Sequence, residues 1–346
     1  MKYTFFILVL IFCAGCAEKG VVKLNDIQTE FDEFPSVDSL KFISISDTLL
    51  EEPSKMLIAG EKLLIQTFCK AKNMHLAIFS LNKNQVINEV VREGDGPNEM
   101  LACEMNLIDD KLWLYDMRKM RVGFAQVDSF LSNTPNISWY KLNHCYYRTA
   151  MLNDSIMLGT NDFENKSKIN FVNVVTGEVE GKGSYSHLDN NLNLSALIDA
   201  CSCYVNVNPK TKDILLSYRY TDVIEIYNSE GKIKYAIQGP EGFDIDFSVG
   251  KNGMRKTKKT RKAFVNCYIT ENNIYLLYSG CRRTDENWVY GTEIFVFSWD
   301  AKPLKRYILP QPIYTFAVDE SNGVIYSYSR QNEELVKAPF PSGVKP

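Results

Sequence analysis

The sequence predicts an all-β fold, a six-bladed β-propeller of four-stranded antiparallel blades. Three observations predict it. Apolar and β-branched runs recur at strand length, and none continues to helix length. A polar turn recurs six times at roughly 50-residue intervals, a spacing that belongs to repeat architectures. A second set of turns sits where a third strand would return to a fourth. Closing such strands into a ring also avoids long exposed edges.

The 346-residue chain opens on MKYTFFILVLIFCAGC. Lys2 precedes an unbroken apolar run from Phe5 to Ala14, and the small pair Ala14-Gly15 stands directly before Cys16. A charged start, an apolar middle and small residues before the cut make a secretory signal. A Cys after the small pair points to a lipoprotein signal, with residues 1–15 removed and Cys16 lipidated as the first mature residue. The run is ten residues, against about 20 for a bilayer span, so a transmembrane anchor is not expected. Cys13 stands where bacterial lipoproteins usually carry Leu; the alternative is an ordinary cleaved signal with an incidental Cys. The expected location is the bacterial cell envelope, exported and lipid-anchored in the outer membrane. Residues 16–35 are expected to form the lipidated N-terminus and a tether, and residues 36–346 the propeller.

Removing residues 1–15 takes away Lys2 and moves the formal charge from −3 to −4. That is near neutral for this length, so nucleic acid is not an expected partner. With 45% hydrophobic residues the chain can bury a large core. No cofactor is implied.

The strand runs follow in order. They are Leu63–Ile65, Leu76–Phe79, Leu112–Tyr115, Ile156–Leu158, Ile214–Leu216, Val223–Tyr227, Ile274–Tyr278, Ile294–Phe297 and Val324–Tyr326. The recurring turns are Gly60-Glu61-Lys62, Asp109-Asp110-Lys111, Asn153-Asp154, Lys212-Asp213, Asn272-Asn273 and Asn322-Gly323. Positions 61, 110, 153, 212, 272 and 322 are 49, 43, 59, 60 and 50 residues apart. Gly, Asn and Asp suit such turns because they tolerate the backbone geometry or hydrogen-bond into it. The turns at Leu81–Gln85, Thr176–Glu178, Ser229–Lys232 and Asp300–Lys302 each follow an apolar strand and can join a third strand to a fourth. Ring closure is expected to place Phe42-Ile43-Ser44-Ile45 in the same blade as Val324 to Lys337. A sandwich or a pair of barrels is the competing architecture.

Three segments carry a family resemblance. Glu93-Gly94-Asp95-Gly96-Pro97-Asn98-Glu99 resembles the G-x-G-P-x-E turn of the TolB-like six-bladed β-propeller lipoproteins. Asn273–Gly280 followed by Ile294–Asp300, and Phe316–Glu320 followed by Gly323–Ser327, are similar to the same family. The resemblance covers most of the mature chain and implies the fold and the envelope location, but no reaction. Where the family often has a second Gly, this chain has Asn98, which tolerates positive φ.

Candidate sites are few. The turn at Gly94, Gly96, Pro97 and Glu99 lacks the G-K-[ST] ending of a phosphate loop. It reads as a structural connection between blades one and two, with Glu99 accepting backbone N–H bonds. KNGMRKTKKTRK, residues 251–262, is strongly basic. Its Arg255, Lys256, Lys258, Lys259, Arg261 and Lys262 can contact anionic lipid headgroups or an acidic glycan; the plainer reading is a solvated loop entering blade five. Asp244-Ile245-Asp246 puts two carboxylates on one side of an extended chain, but a solvated loop explains it as well. His75, His144 and His187 lack metal-ligand spacing, and no G-x-S-x-G elbow occurs. Of the mature cysteines other than Cys16, only Cys201 and Cys203 are close in sequence, and they read as a buried free pair. The Tyr and Phe residues are assigned mainly to blade packing.

The expected function is a binding or interaction module for a glycan, peptide or protein, with its ligand surface at one propeller mouth. The rival is an envelope lyase or hydrolase acting on carbohydrate or peptide in the central channel. Fold alone does not choose between them.

Overall fold

The computed structural model describes residues 19–20, 24, 27–46, 51–69, 73–131, 135–162, 167–185 and 193–340. The signal sequence, Cys16 and His187 lie outside them. Six sheets carry the ring. Blade 1 is Lys55–Ala59, Lys62–Cys69, Met74–Ser80 and Gln85–Arg92. Blade 2 runs from Glu104 to Lys141, blade 3 from Arg148 to Ser184, and blade 4 from Cys203 to Gln238. Blade 5 runs from Phe264 to Ile313. Within each blade, consecutive strands pair antiparallel.

Blade 6 closes the ring. Phe316–Asp319, Val324–Ser329 and Glu334–Pro339 supply three strands, and the N-terminal Ile43–Ser46 supplies the fourth. Lys337 pairs with Ile43, and Val336 with Ser44. The closing segment is thus the one expected from sequence. The chain before it is not a free tether over its whole length. Thr29–Glu30 adds a parallel edge strand to blade 4 and Val37–Ser39 adds one to blade 5. Phe34 is buried in the core between those blades. The propeller therefore begins on its outer rim before residue 36.

The core is divided like the ring. Six clusters of buried residues each bridge two neighbouring blades. Alternation along one strand explains this: Leu63 and Ile65 pack toward blade 6, while Leu64 between them packs toward blade 2. A strand buried on both faces reads as an unbroken apolar run, which is what made these strands visible in the sequence. All nine runs named above lie in strands.

The six recurrent turns each join the first strand of a blade to its second, from Gly60-Glu61 in blade 1 to Asn322-Gly323 in blade 6. The α-helix among the described residues, Leu194–Ala200, lies between blades 3 and 4 and is capped by the Asn193 side chain. Phe247–Gly250 and Gly253–Lys256 form a hairpin between blades 4 and 5.

Candidate functional site

The innermost strands begin around one end of the central channel and finish around the other. Lys55, Glu104, Arg148, Tyr204, Asn266 and Tyr314 border a cavity of 100 Å³ at the first end. Leu57, Ile108, Met151, Val207 and Ile269 border one of 230 Å³ at the second. Lys55, Asn206 and Cys267 belong to both and sit in mid-channel. The long connections, with the helix, the hairpin and residues 279–290, lie at the first end, here called the mouth face. The recurrent polar turns lie at the opposite, turn face. Loops held on a rigid ring are where recognition usually resides.

Aromatic rings and cations converge at the mouth. Tyr147 and Arg148 stand at the start of blade 3's inner strand, and Tyr204 lies in that of blade 4. Arg219 and Tyr220 follow blade 4's second strand, Ile214–Tyr218. Lys262 precedes blade 5's inner strand, Phe264–Ile269, and Trp288 lies in its long loop. The Arg148 guanidinium is 4.6 Å from the Tyr147 ring centre and 5.1 Å from that of Tyr204. Arg219 is 5.8 Å from Tyr204 and 5.7 Å from Tyr220, and its Nη1 donates to Tyr147 Oη at 2.6 Å. Lys262 Nζ lies 4.9 Å from Tyr220 and 5.2 Å from Trp288. Those two rings stack with centroids 6.3 Å apart.

Lys262 is buried, and Arg148 and Arg219 are half-buried. Lys262 is 4% exposed. Nε of Arg148 and Nε of Arg219 are both buried without a hydrogen-bond partner. Among the described residues, none of the three makes an ion pair within 4.0 Å. Glu104 is the carboxylate bordering the mouth cavity, and it accepts a hydrogen bond from Thr149 Oγ1 at 3.4 Å. Its negative charge acts on Lys55 and Arg148, raising the pKa of each against the lowering effect of burial. Burial lowers the ammonium pKa of Lys262 well below the ordinary lysine range, and the positive charges of Arg219, Lys256 and Arg148 lower it further. Burial also lowers that of Lys55, against the opposing pull of Glu104. Stacking on ring faces returns about 2 kcal/mol per desolvated cation. Taking an ion out of water costs several kcal/mol. An anion entering the mouth would close that gap.

The basic run divides between several roles. Lys256 reaches the mouth, with Nζ 5.5 Å from the Tyr220 ring, and Lys262 is central to it. Arg261 instead pairs with Glu241 and donates Nε to the Gly280 carbonyl at 2.9 Å. Arg255, Lys258 and Lys259 are exposed outside the mouth. The run is not a loose loop. Met254 N–H donates to Asp199 Oδ2 at 3.1 Å, and Thr260 Oγ1 donates to the Asp246 carbonyl at 2.7 Å. Asp246 accepts from the Thr257 hydroxyl, and no cluster of metal-ligating groups occurs among the described residues.

The G-x-G-P-x-E turn lies between Arg92, which ends blade 1, and Glu104, which starts blade 2. Glu99 Oε2 accepts the Gly96 N–H at 2.9 Å. Lys119 Nζ donates to the Glu99 carbonyl at 2.9 Å, and Arg121 Nη1 to that of Pro97 at 2.9 Å. Gly94 has φ +155°, and a Cβ there would fall 2.1 Å from Glu99 Oε2. Only Gly fits. His75 is buried and its Nε2 bonds the Met100 carbonyl at 3.1 Å. Cys201 and Cys203 are buried and free, and burial pushes the Cys203 thiol up to about 12.

Sequence reasoning did not find Tyr147, Arg148, Tyr204, Arg219, Tyr220 or Trp288. One signal was present: Tyr146-Tyr147-Arg148 and Tyr218-Arg219-Tyr220 repeat an aromatic–Arg pattern at strand ends.

A family model for TolB-like 6-blade propeller-like proteins matches residues 30–321. The chain belongs to the TolB-like family. Several solved structures are similar to this chain in fold. A Bacteroides fragilis protein provisionally described as exported is 9% identical, with a TM-score of 0.54 over 90% of this chain and 98% of that one. The WD40 repeats of RRP9 are 8% identical, with a TM-score of 0.50 over 89% of this chain and 100% of that one. Virginiamycin B lyase from Staphylococcus aureus is 10% identical, with a TM-score of 0.43 over 89% and 90%. Likeness at this identity concerns the fold alone. No curated protein matches the TolB-like chain.

Proposed function

We propose that this protein is an exported, lipid-anchored binding module of the cell envelope whose propeller mouth takes an anionic group. One observation carries the reading: Arg148, Arg219 and Lys262 converge among the rings of Tyr147, Tyr204, Tyr220 and Trp288, and none of the three makes an ion pair among the described residues. The 100 Å³ mouth cavity is small beside the roughly 300–1,000 Å³ of sites that enclose a whole small ligand. It suits one acidic group presented by a larger molecule that rests on the rim. A carboxylated sugar or an acidic peptide has that form, its ring or backbone meeting the aromatic wall and its carboxylate the cations. Export and lipid attachment at Cys16 rest on the signal sequence, and a fold relative provisionally described as exported agrees with them.

The test is titration calorimetry with uronic-acid oligosaccharides, acidic peptides and their neutral counterparts. Acidic ligands should bind, and Arg219→Met should weaken binding at least about tenfold, the worth of one charge-assisted hydrogen bond. Equal binding of neutral ligands, or an unaffected Arg219→Met protein, would refute the reading.

A further inference from the structure

The N-terminal chain joins the ring on the mouth face. Lys19–Gly20 pairs antiparallel with Phe247 and Ser248 of the hairpin. That hairpin lies between the outer strand of blade 4, Ile233–Gln238, and the inner strand of blade 5, so it stands beside the mouth. The Leu24 side chain is buried in the core between blades 3 and 4, and its carbonyl accepts Lys168 Nζ at 3.2 Å. Cys16 is three residues before Lys19. Three residues span about 10 Å when fully extended. A lipid on Cys16 therefore keeps the hairpin side of the mouth face near the bilayer, and charge decides how closely that face lies against it.

Charge agrees with this placement. Lys251, Arg255, Lys258, Lys259, Arg282 and Arg283 are exposed on the mouth-face loops, and none makes an ion pair among the described residues. The exposed carboxylates of the same loops that remain unpaired are Asp244, Asp285 and Glu286. The opposite face mixes signs in its turns: Asp109, Asp110, Asp319 and Glu320 stand among Lys62, Lys83 and Lys302, and Glu271 is paired with Lys210. A basic patch set within a Debye length of anionic headgroups is drawn onto them, whereas a face of mixed charge is not.

From the short N-terminal reach and the asymmetry of charge, we infer that the mouth face lies against the membrane that anchors the protein. Its basic hairpin contacts the anionic lipid headgroups there. The inference rests on the lipid attachment at Cys16 proposed above. The aromatic–cationic mouth then opens toward the bilayer surface, and its ligand arrives along that surface.

The experiment uses the mature protein purified from membranes and reconstituted in vesicles of phosphatidylcholine, alone or with about one-third phosphatidylglycerol. A membrane-impermeant amine reagent is applied and each lysine is read by mass spectrometry. Labelling of Lys251, Lys258 and Lys259 should fall at least about fivefold in the anionic vesicles. Exposed Lys210 and Lys232 on the turn face should label equally in both. About 0.5 M salt should restore the lost labelling. Protein that stays on the vesicles yet labels evenly, or is protected at Lys210 and Lys232 instead, overturns the orientation. Protein that washes off the vesicles overturns the lipid anchor and the orientation with it.

Discussion

Two buried lysines, one serving blade 3 and one blade 5, show how differently this ring treats a desolvated charge. Lys168 is 3% exposed and Lys262 is 4% exposed. Lys168 Nζ donates to Glu225 Oε1 at 2.8 Å, and Glu225 Oε2 accepts the hydroxyls of Tyr218 and Tyr227 at 2.7 Å each. Every charged atom there has a partner, including a carbonyl of the N-terminal strap. Lys262 has ring faces and other cations. The first arrangement is structural. The second leaves electrostatic free energy unrecovered in the free protein, and such imbalance is typical of sites made for a ligand.

The comparison can be broken at the partnered lysine first. Lys168→Met should destabilise the protein by about 3–5 kcal/mol, because it strands the Glu225 carboxylate in the core. Chemical denaturation should show this, and a loss below 1 kcal/mol would mean the pair is not the lock described. Next, Gly94→Ala should cost about 1–3 kcal/mol, because the positive φ at this position is one that L side chains rarely adopt. It should leave ligand affinity unchanged, because the G-x-G-P-x-E turn joins blades 1 and 2 whereas the mouth cations belong to blades 3 to 5. Reduced affinity in that variant would show that stability and binding are not separable here.

A smaller effect sharpens the comparison through pH. Lys262 has a lowered pKa in the folded protein, so it loses its proton between that lowered value and the ordinary lysine range. Affinity for an acidic ligand should fall about tenfold through this window, and Lys262→Arg should remain flat. Stability runs the other way. The unfolded chain keeps the proton that the folded one releases, so stability rises with pH across the same window. A pH profile with no inflection below the ordinary lysine range would remove Lys262 from the site.

The fold was largely legible in the sequence for a physical reason. Blades bury both faces of their strands, so runs such as Ile274–Tyr278 are continuously apolar and the turns between them stand out. The closing strand Ile43–Ser46 was legible instead from its alternation of Ile and Ser. The parallel edge strands Thr29–Glu30 and Val37–Ser39 were not, because they are two and three residues long and carry no alternation. The helix Leu194–Ala200 escaped notice because seven residues hold too few turns to show a period. The site was least legible of all. Tyr147, Arg219, Lys262 and Trp288 come from three blades, and only the side-by-side packing of those blades brings them together. Of the basic run, only Lys256 and Lys262 touch its aromatic wall.

The most direct test of the unpaired mouth cations is one variant measured two ways. Lys262→Met should raise stability by about 1–2 kcal/mol, because a buried charge without a partner is replaced by an apolar side chain. The same variant should lose affinity for acidic ligands in calorimetry. A variant that is less stable than the parent and still binds acidic ligands as tightly would contradict the account.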